Sequence, residues 1–323
     1  MSRVVTENPL PRLEVVDLST VVPSALEALW RYEGQWWREQ LRWDIADALA
    51  ALRRVVERRG VPGKAVRVGT QTVAYAYYML AGRLGVLSSL AMLPEWSTTT
   101  VGESLLQAMV DSLRHQDVAR IESPCVCVPH PWLVPAFERQ GFQTYWREFL
   151  RVDLHHEHLP VQPPALAQLE PWRRAHLGVA AAIMQAAYEG TVDVEINTPY
   201  RTTEGCASVL QNILHQGGCG RLVTEASALA HDRGQAIGFV VVTETASQQG
   251  HLAQVAVLPA YQRQGLGRLL VQYCLAQLTM LRFDTLSLIV SRANHRAMQL
   301  YQALGLQAVL AFPVFVWEQG KAT

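Results

Sequence analysis

Apolar residues in the second half of the chain recur at two spacings, which predict alternating helices and strands. Apolar positions three and four residues apart predict helices over 175–188, 202–215, 267–280 and 294–304. Short runs rich in Val, Leu and Ile predict strands over 222–230, 236–244, 251–258, 285–290 and 309–317. Only short polar, glycine-containing turns separate the first three runs, so they predict an antiparallel meander within a mixed α/β domain.

The first half of the chain has a similar order of signals, which predicts a duplicated unit. Three landmark pairs lie 164, 164 and 165 residues apart: Gly141 and Gly305, Leu105 and Leu269, Pro94 and Pro259. Between the halves, the stretch DLHHEHLPVQPPA loses its apolar period and contains three prolines, which predicts a linker. The chain therefore divides into domains over 1–154 and 166–323 with a linker over 155–165. Two unrelated α/β domains are the alternative.

The composition is that of a globular chain without net charge. Of the 323 residues 50% are hydrophobic, and 28 Lys and Arg balance 28 Asp and Glu, so nucleic acid and membrane are not expected partners. The most apolar window, 75–93, is interrupted by two glycines and an arginine and predicts two strands joined by a turn. Five scattered cysteines and an N-terminus without a continuous apolar run predict a cytoplasmic protein.

The stretch VAVLPAYQRQGLGRLL predicts an anion-binding loop. A strand that ends before the loop and a helix that begins after it bring free backbone N–H groups and the positive end of the helix dipole together. Gly265 and Gly267 allow phosphate oxygens to approach, while Arg263 adds charge and Gln262 and Gln264 add donors. The loop lacks the Gly-Lys-Ser/Thr of a P-loop and the third glycine of a dinucleotide fingerprint. A pyrophosphate is the expected ligand.

These residues resemble the GNAT superfamily of acyl-CoA-dependent N-acyltransferases. The family's pyrophosphate loop has Gln or Arg, two residues, Gly, one residue, then Gly or Ala, as Gln262, Gly265 and Gly267 do. A later motif, an Asn before an apolar helix with Leu-Tyr and a following Gly, is matched by Asn294, Ala297, Leu300, Tyr301 and Gly305. The resemblance covers about 166–317. It implies two GNAT-like domains, each a mostly antiparallel central sheet flanked by helices.

The resemblance implies an N-acetyltransferase that moves an acetyl group from acetyl-CoA to a primary amine by direct attack in a ternary complex. The backbone of Val255, Ala256 and Val257 would pair with the pantetheine arm, where the strand splays from its neighbour. Asn294 would contact the cofactor, and the Tyr301 hydroxyl would donate a proton to the departing thiolate. The pyrophosphate would be held by Gln262, Arg263, Gln264, Gly265, Leu266 and Gly267. A non-catalytic acyl-CoA-binding regulator is the alternative function.

Amine attack on a thioester requires a neutral nitrogen, so a general base is expected. His251 begins the strand that leads to the loop, where some members of the family carry a glutamate, and the ordinary pKa of histidine near 6.5 suits this role. A surface histidine after a turn is the alternative. Glu244 and Glu225, on the two preceding predicted strands, are weaker candidates.

The segment YEGTVDVEINTPYRTTEGC is predicted to bind the amine acceptor, because it combines acidic and aromatic residues between the first two helices. The acidic residues Asp193, Glu195 and Glu204 would attract a cation, and Tyr188 and Tyr200 would line the pocket. A helix cap at Thr202 or Thr203 is the alternative for the end of this segment. The expected partner is a small-molecule or peptide amine, and the chain is expected to act as a monomer or homodimer.

The first half carries a degenerate version of the loop, EWSTTTVGESLL, with one glycine and no basic residue, so we expect no cofactor there. Its tryptophans, Trp30, Trp36, Trp37 and Trp43, are expected to pack in a core or between the domains. Two groups resemble metal ligands without a fixed geometry: Cys125, Cys127 and His130, and His155, His156 and His158. No metal is expected.

Overall fold

A computed structural model of the protein describes residues 13–124, 130–154, 167–215 and 219–321. The predicted linker over 155–165, with His155, His156 and His158, lies outside the described residues, and so do Cys125 and Cys127. The described chain forms a mixed α/β fold of two compact units, as predicted.

Each unit is completed by segments from the other half of the sequence. The first unit consists of Met1–Trp36, Ala46–Thr144 and Pro313–Thr323, and the second of Trp37–Ile45 and Tyr145–Phe312. The division into domains over 1–154 and 166–323 stays a prediction, and Pro313–Thr323 joins the first unit through the hydrogen bonds of Phe315–Glu318 with Arg120–Ser123. That pairing depends on distant residues, so the local composition at the Pro-rich stretch does not report it.

The first unit contains a mostly antiparallel sheet with helices packed against it. Its strands are β1 (Leu13–Asp17), β2 (Gly63–Val68), β3 (Gln71–Ala81), β4 (Leu84–Met92) and β5 (Arg120–Ser123). They lie in sequence order, and the sheet is completed by Phe315–Glu318 at the end of β13 (Gln307–Glu318). Its helices are α1 (Glu27–Trp36), α2 (Ala46–Glu57), α3 (Thr99–His115) and α4 (Leu133–Arg139).

The second unit has a mostly antiparallel sheet in the order β6-β12-β11-β10-β9-β7, and only β11 and β12 pair in parallel among the described strands of this sheet. Its strands are β6 (Gln143–Asp153), β7 (Gln168–Pro171), β8 (Arg221–Leu222), β9 (Ala228–Asp232), β10 (Gln235–Ala246), β11 (Gln249–Val257) and β12 (Thr285–Ser291). Its helices are α5 (Leu177–Tyr188), α6 (Val192–Ile196), α7 (Thr203–His215), α8 (Leu266–Met280) and α9 (His295–Gln302).

Turn residues set the predicted hairpins. The window 75–93 forms β3 and β4, joined at Gly82, which has φ +60°, as predicted. The meander of β9, β10 and β11 is also confirmed. Between β9 and β10, Arg233 and Gly234 both have positive φ, 48° and 82°, which matches the twist of a two-residue hairpin turn. In the described part of the chain, no helix is long and apolar enough to cross a membrane.

The predicted strand over 222–230 is instead two short strands, β8 and β9, separated by a 3-10 turn at Thr224–Ala226. The Ser227 hydroxyl explains this interruption. It donates to the Val223 carbonyl at 2.8 Å and accepts from the Val242 N–H at 2.9 Å. A side chain therefore takes the place of a backbone partner in the ladder, which local propensity does not predict.

The second unit buries a core on each face of its sheet. One face packs against α8, with Leu270, Val271 and Leu278 fully or almost fully buried. The other face packs against α5 and α7, where Phe239 and Met184 are fully buried. This arrangement fixes the ends of β11 and β12, at which the candidate site lies.

Candidate functional site

A cavity of about 800 Å³ lies within the second unit and brings together both sequence motifs. Its walls come from the C-terminal half of β11, the start of α8, α9 and the segment between α5 and α7. The predicted residues that line it are Tyr188, Asp193, Tyr200, His251, Val255, Ala256, Val257, Gln262, Arg263, Gly265, Gly267, Asn294 and Tyr301. Several elements therefore converge on one space.

The strands β11 and β12 separate at this cavity, as predicted. Their parallel pairing covers Gln249–Leu252 against Thr285–Leu288, after which β11 continues along β10 and β12 along β6. Ala253 is the extra residue of a β-bulge at the point of separation, since Gln254 pairs with Val241 and Leu252 with Val242. Beyond the bulge, one edge of β11 faces the cavity rather than β12, so its backbone groups can bind a ligand.

The loop after β11 leads into α8 at Gly265, whose φ is +87°. The first hydrogen bond of the helix runs from the Leu269 N–H to the Gly265 carbonyl, so the N–H groups of the three preceding residues have no partner within the helix. A Cβ atom at Gly267 would meet only Leu300, at 3.7 Å, so the first turn is open toward the cavity. Arg263 and Arg268 add positive charge at the same end. This arrangement suits a pyrophosphate.

The two glutamines of the loop and Leu266 have local contacts. Gln262 donates from Nε2 to the Val257 carbonyl at 3.1 Å, which ties the loop to the strand end. Gln264 donates to the Ala260 carbonyl at 2.9 Å, and its side chain is exposed. Leu266 is 4% exposed and packs in the core under α8. Leu266 can therefore offer a ligand only its backbone.

The later motif positions α9 and its tyrosine. Asn294 caps the helix, because its Oδ1 accepts from the Ala297 N–H at 3.1 Å, and Asn294 also lines the cavity. Tyr301 follows two turns later and is 7% exposed. Burial, and to a smaller degree the charge of Asp193, raise the pKa of the Tyr301 phenol above its ordinary value. The phenol therefore keeps its proton at neutral pH.

His251 is more deeply buried than the base hypothesis assumed. It is 4% exposed, with Trp43 edge-on at 4.8 Å between ring centroids, and burial lowers the pKa of His251 to about 3. Its Nδ1 lies 3.0 Å from the Ser287 hydroxyl, which itself donates to the Gly250 carbonyl. Nδ1 therefore carries the proton and Nε2 the lone pair. A nitrogen with this low pKa is a weak base at neutral pH.

The carboxylate candidates for the base lie away from the cavity. Glu244 is ion-paired with Arg221, and its Oε1 accepts from the Gln248 N–H at 3.1 Å. Glu225 belongs to the 3-10 turn rather than to a strand, and its carbonyl accepts from the Tyr273 hydroxyl. Neither residue contributes to the lining of the described cavity.

The acceptor segment contributes one of its three predicted carboxylates to the cavity. Asp193 is 9% exposed, and its Oδ1 accepts from the Ser291 hydroxyl at 2.7 Å. Glu195 and Glu204 are exposed and are not among the lining residues of the described cavity. The Thr202 hydroxyl accepts from the Gly205 N–H at 3.0 Å, so the capping alternative also holds, for α7.

Tyr188 and Tyr200 form one wall of the cavity. Their rings stack with centroids 4.8 Å apart. Gln254 joins them, since its Oε1 accepts from the Tyr188 hydroxyl at 3.0 Å and its Nε2 donates to the Tyr200 hydroxyl at 3.1 Å. Burial raises the pKa of both phenols, so this wall is uncharged at neutral pH.

Sequence reasoning missed two lining residues that come from outside the predicted catalytic range. Trp43, expected only to pack, belongs to Trp37–Ile45 of the second unit and reaches the cavity beside His251. Trp30 does pack in the core of the first unit, as expected. Arg147 lies on β6 opposite Ser291 of β12. The local sequence around Arg147 is compatible with a strand, but it does not indicate that this strand pairs with β12.

In the first unit, side chains occupy the space next to the start of α3, which corresponds to the start of α8 in the second unit. A Cβ atom at Gly102, in the first turn of α3, would lie 2.3 Å from the Trp132 ring. The ring of His130 stacks on Trp132, and its Nδ1 lies 2.6 Å from the Ser97 hydroxyl. This packing supports the prediction that the loop of the first unit is degenerate. Among the described residues, no group of three His, Cys, Asp or Glu could hold a metal ion.

Comparison with known proteins identifies the fold of this site. Residues 181–306 match the model of the acetyltransferase (GNAT) family, a range that contains every lining residue except Trp43 and Arg147. A search of curated protein sequences gave no match.

Solved structures extend the likeness to nearly the whole chain. A GCN5-related N-acetyltransferase from Sphaerobacter thermophilus is 15% identical with a TM-score of 0.71, and 97% of this chain covers 99% of it. A tandem GNAT protein from the clavulanic acid biosynthesis pathway is 16% identical with a TM-score of 0.54. The match covers 97% of this chain and 100% of that protein's chain. A fungal multi-domain GH3 β-N-acetylglucosaminidase with a glucosamine N-acetyltransferase region is 14% identical with a TM-score of 0.65, and 95% of this chain covers 38% of it. At these identities the likeness concerns the fold.

Proposed function

We propose that this chain, whose residues 181–306 match the model of the acetyltransferase (GNAT) family, transfers an acetyl group from acetyl-CoA to a primary amine. The amine attacks directly in a ternary complex. The observation that carries the proposal is the single cavity lined by the separated edge of β11, the start of α8, the Tyr301 side chain and the Asp193 carboxylate. A donor site and an acceptor site therefore share one space, as direct transfer requires.

The cofactor half of the cavity fits acetyl-CoA in shape and charge. The backbone of Val255–Val257 offers hydrogen bonds to the amides of the pantetheine arm. The N–H groups at the start of α8, with Arg263 and Arg268, offer donors and charge to the pyrophosphate. Gln262 acts by holding the loop against Val257. The ligand supplies the activated thioester, and these groups orient it.

In the proposed reaction the nitrogen–carbon bond forms first and gives a tetrahedral intermediate, from which the carbon–sulfur bond then breaks. Asp193 attracts the acceptor as an ammonium, which loses one proton to water before attack, because His251 is too weak a base to hold it. The Tyr301 phenol donates a hydrogen bond to the sulfur on which negative charge develops. As this intermediate collapses, the Tyr301 proton passes to the departing sulfur to give a thiol, and the second proton of the nitrogen returns through solvent to the Tyr301 oxygen. The products are an amide, free CoA and one proton in solution.

The proposal includes a cytoplasmic enzyme that acts as a monomer or homodimer on small-molecule or peptide amines. Among the described residues, Cys206, Cys219 and Cys274 are not in disulfide bonds, which is compatible with a reducing compartment.

Isothermal titration with acetyl-CoA tests the cofactor half of the proposal. We expect one site in the wild type and affinity weakened at least about tenfold in Gly265→Glu, because the new carboxylate repels the pyrophosphate next to the helix N-terminus. Gly234→Glu is the matched control. Gly265 and Gly234 have φ of 87° and 82°, and neither has a neighbour within 4 Å of a new Cβ, but Gly234 lies in the β9–β10 turn.

The outcomes of this titration separate the alternatives. Equal affinity in the Gly265→Glu and Gly234→Glu proteins would contradict binding at the loop, and no binding to the wild type would contradict the acyltransferase proposal. Two sites would indicate that the first unit also binds the cofactor. Acetyl-CoA binding without thiol release across a panel of amines would favour the acyl-CoA-binding regulator.

A further inference from the structure

Arg147 lines the acceptor end of the cavity with a side chain that is only 15% exposed. It lies on β6, directly opposite Ser291 of β12, so the two side chains are on the same face of the sheet. Among the described residues its one ionic contact is with Oδ1 of Asp193, at 3.9 Å. That distance is too long for a hydrogen bond, and Oδ1 already accepts from the Ser291 hydroxyl.

A neighbouring arginine shows how this part of the chain satisfies a guanidinium. Arg292, the residue after Ser291, donates from Nε to Glu148 at 2.7 Å and lies over the Trp146 ring at 5.1 Å. Arg147 has neither a hydrogen-bonded carboxylate nor an aromatic platform among the described residues. A mostly buried guanidinium with a planar set of donors directed at a cavity is suited to a carboxylate that arrives with the ligand.

The surroundings of Arg147 make the acceptor end a pair of opposite charges within a neutral wall. Asp193 supplies the negative charge, and the chain of Tyr188, Gln254 and Tyr200 supplies uncharged hydrogen-bonding groups. A ligand whose only charged group is an ammonium would leave the Arg147 guanidinium without an anionic partner and would place two positive charges near each other. A ligand with an ammonium and a carboxylate would complement both residues.

We propose that the acceptor is a zwitterion of the amino-acid class, whose carboxylate binds Arg147 and whose amino group lies at Asp193. This inference rests on the proposed N-acetyltransferase function and names its substrate class. Acetylation then removes the positive charge and leaves the carboxylate, so the product is an N-acetylated acid with weaker affinity for Asp193.

Thiol release with acetyl-CoA tests the substrate class. The probes are the common L-amino acids, each compared with its carboxamide and its decarboxylated amine, at fixed pH and ionic strength. In the wild type we expect kcat/KM for the best amino acid to exceed that of its carboxamide by about tenfold or more, the size expected for a charged hydrogen-bonded pair. In Arg147→Met this ratio should fall to about one, mainly through KM for the amino acid.

Two further variants and one change of donor make the result specific. Arg147→Lys keeps the charge without the planar donors and should retain part of the preference. Arg292→Met removes a nearby positive charge outside the cavity and should leave the preference unchanged. With succinyl-CoA as donor, the same variants test whether Arg147 instead binds a carboxylate on the acyl group.

The outcomes distinguish this inference from the proposed function. Turnover of carboxamides and simple amines as good as that of amino acids would overturn the inference and leave the acetyltransferase proposal standing. An equal loss for all acceptors in Arg147→Met would do the same, and so would an Arg147-dependent use of succinyl-CoA without an amino-acid preference. Turnover of no amine at all would contradict the proposed function, and the inference with it.

Discussion

Replacing Tyr301 by phenylalanine is expected to lower kcat about 100-fold while the affinity for acetyl-CoA changes less than about twofold. The hydroxyl is the only group removed, and α9 keeps the ring in the core beside the cavity. The size of the effect follows from the leaving group. A thiol has a pKa near 8.5, so a thiolate can depart without full protonation, and the loss should lie at the lower end of the range for proton donors.

Single-turnover rates of thiol release and titration with acetyl-CoA measure the two quantities separately. Tyr273→Phe is the control, because the Tyr273 hydroxyl bonds the Glu225 carbonyl and is not among the lining residues of the described cavity. Unchanged kcat in the Tyr301→Phe protein would remove the proton-donor role.

Because burial raises the pKa of Tyr301, wild-type activity should also show no loss from ionisation of this phenol between about pH 7 and 9.

Local signals in the sequence were sufficient for the elements that build the proposed cofactor half of the cavity. The glycines of the loop and the capping Asn294 act through their own backbone or that of the next few residues. Helices α5, α7 and α8 begin within two residues of the predicted starts. These features are readable because each depends on residues close in the chain.

The proposed acceptor half of the cavity was harder to predict from the sequence, because its geometry depends on one short helix and on a distant strand. Asp193 and Glu195 lie two positions apart in α6, and a helix turns about 100° per residue, so the two carboxylates face nearly opposite directions. Treating the segment as a loop gave them equal weight. Arg147 reaches the cavity only through the pairing of β6 with β12, residues more than a hundred positions apart.

Replacing His251 by asparagine is expected to make the stability of the protein less dependent on pH below about 6.5. In the folded protein His251 stays neutral down to a pKa of about 3, whereas an unfolded histidine binds a proton below about pH 6.5. Acid therefore favours the unfolded state throughout this window. The stabilisation is fully present above pH 6.5 and is lost as the pH falls toward 3, at about 1.4 kcal/mol for each pH unit.

Urea unfolding at pH 7 and pH 4.5 measures this contribution. Wild type should lose roughly 2 to 3 kcal/mol more than His251→Asn between these two pH values, because the asparagine cannot bind a proton in either state. Asparagine can still contact the Ser287 hydroxyl, so its effect on packing appears at both pH values and cancels in the difference. His115→Asn, at an exposed position on α3, is the control for removal of a histidine. Parallel losses in wild type and His251→Asn would mean that His251 gains its proton in the folded protein, which would restore it as a candidate general base.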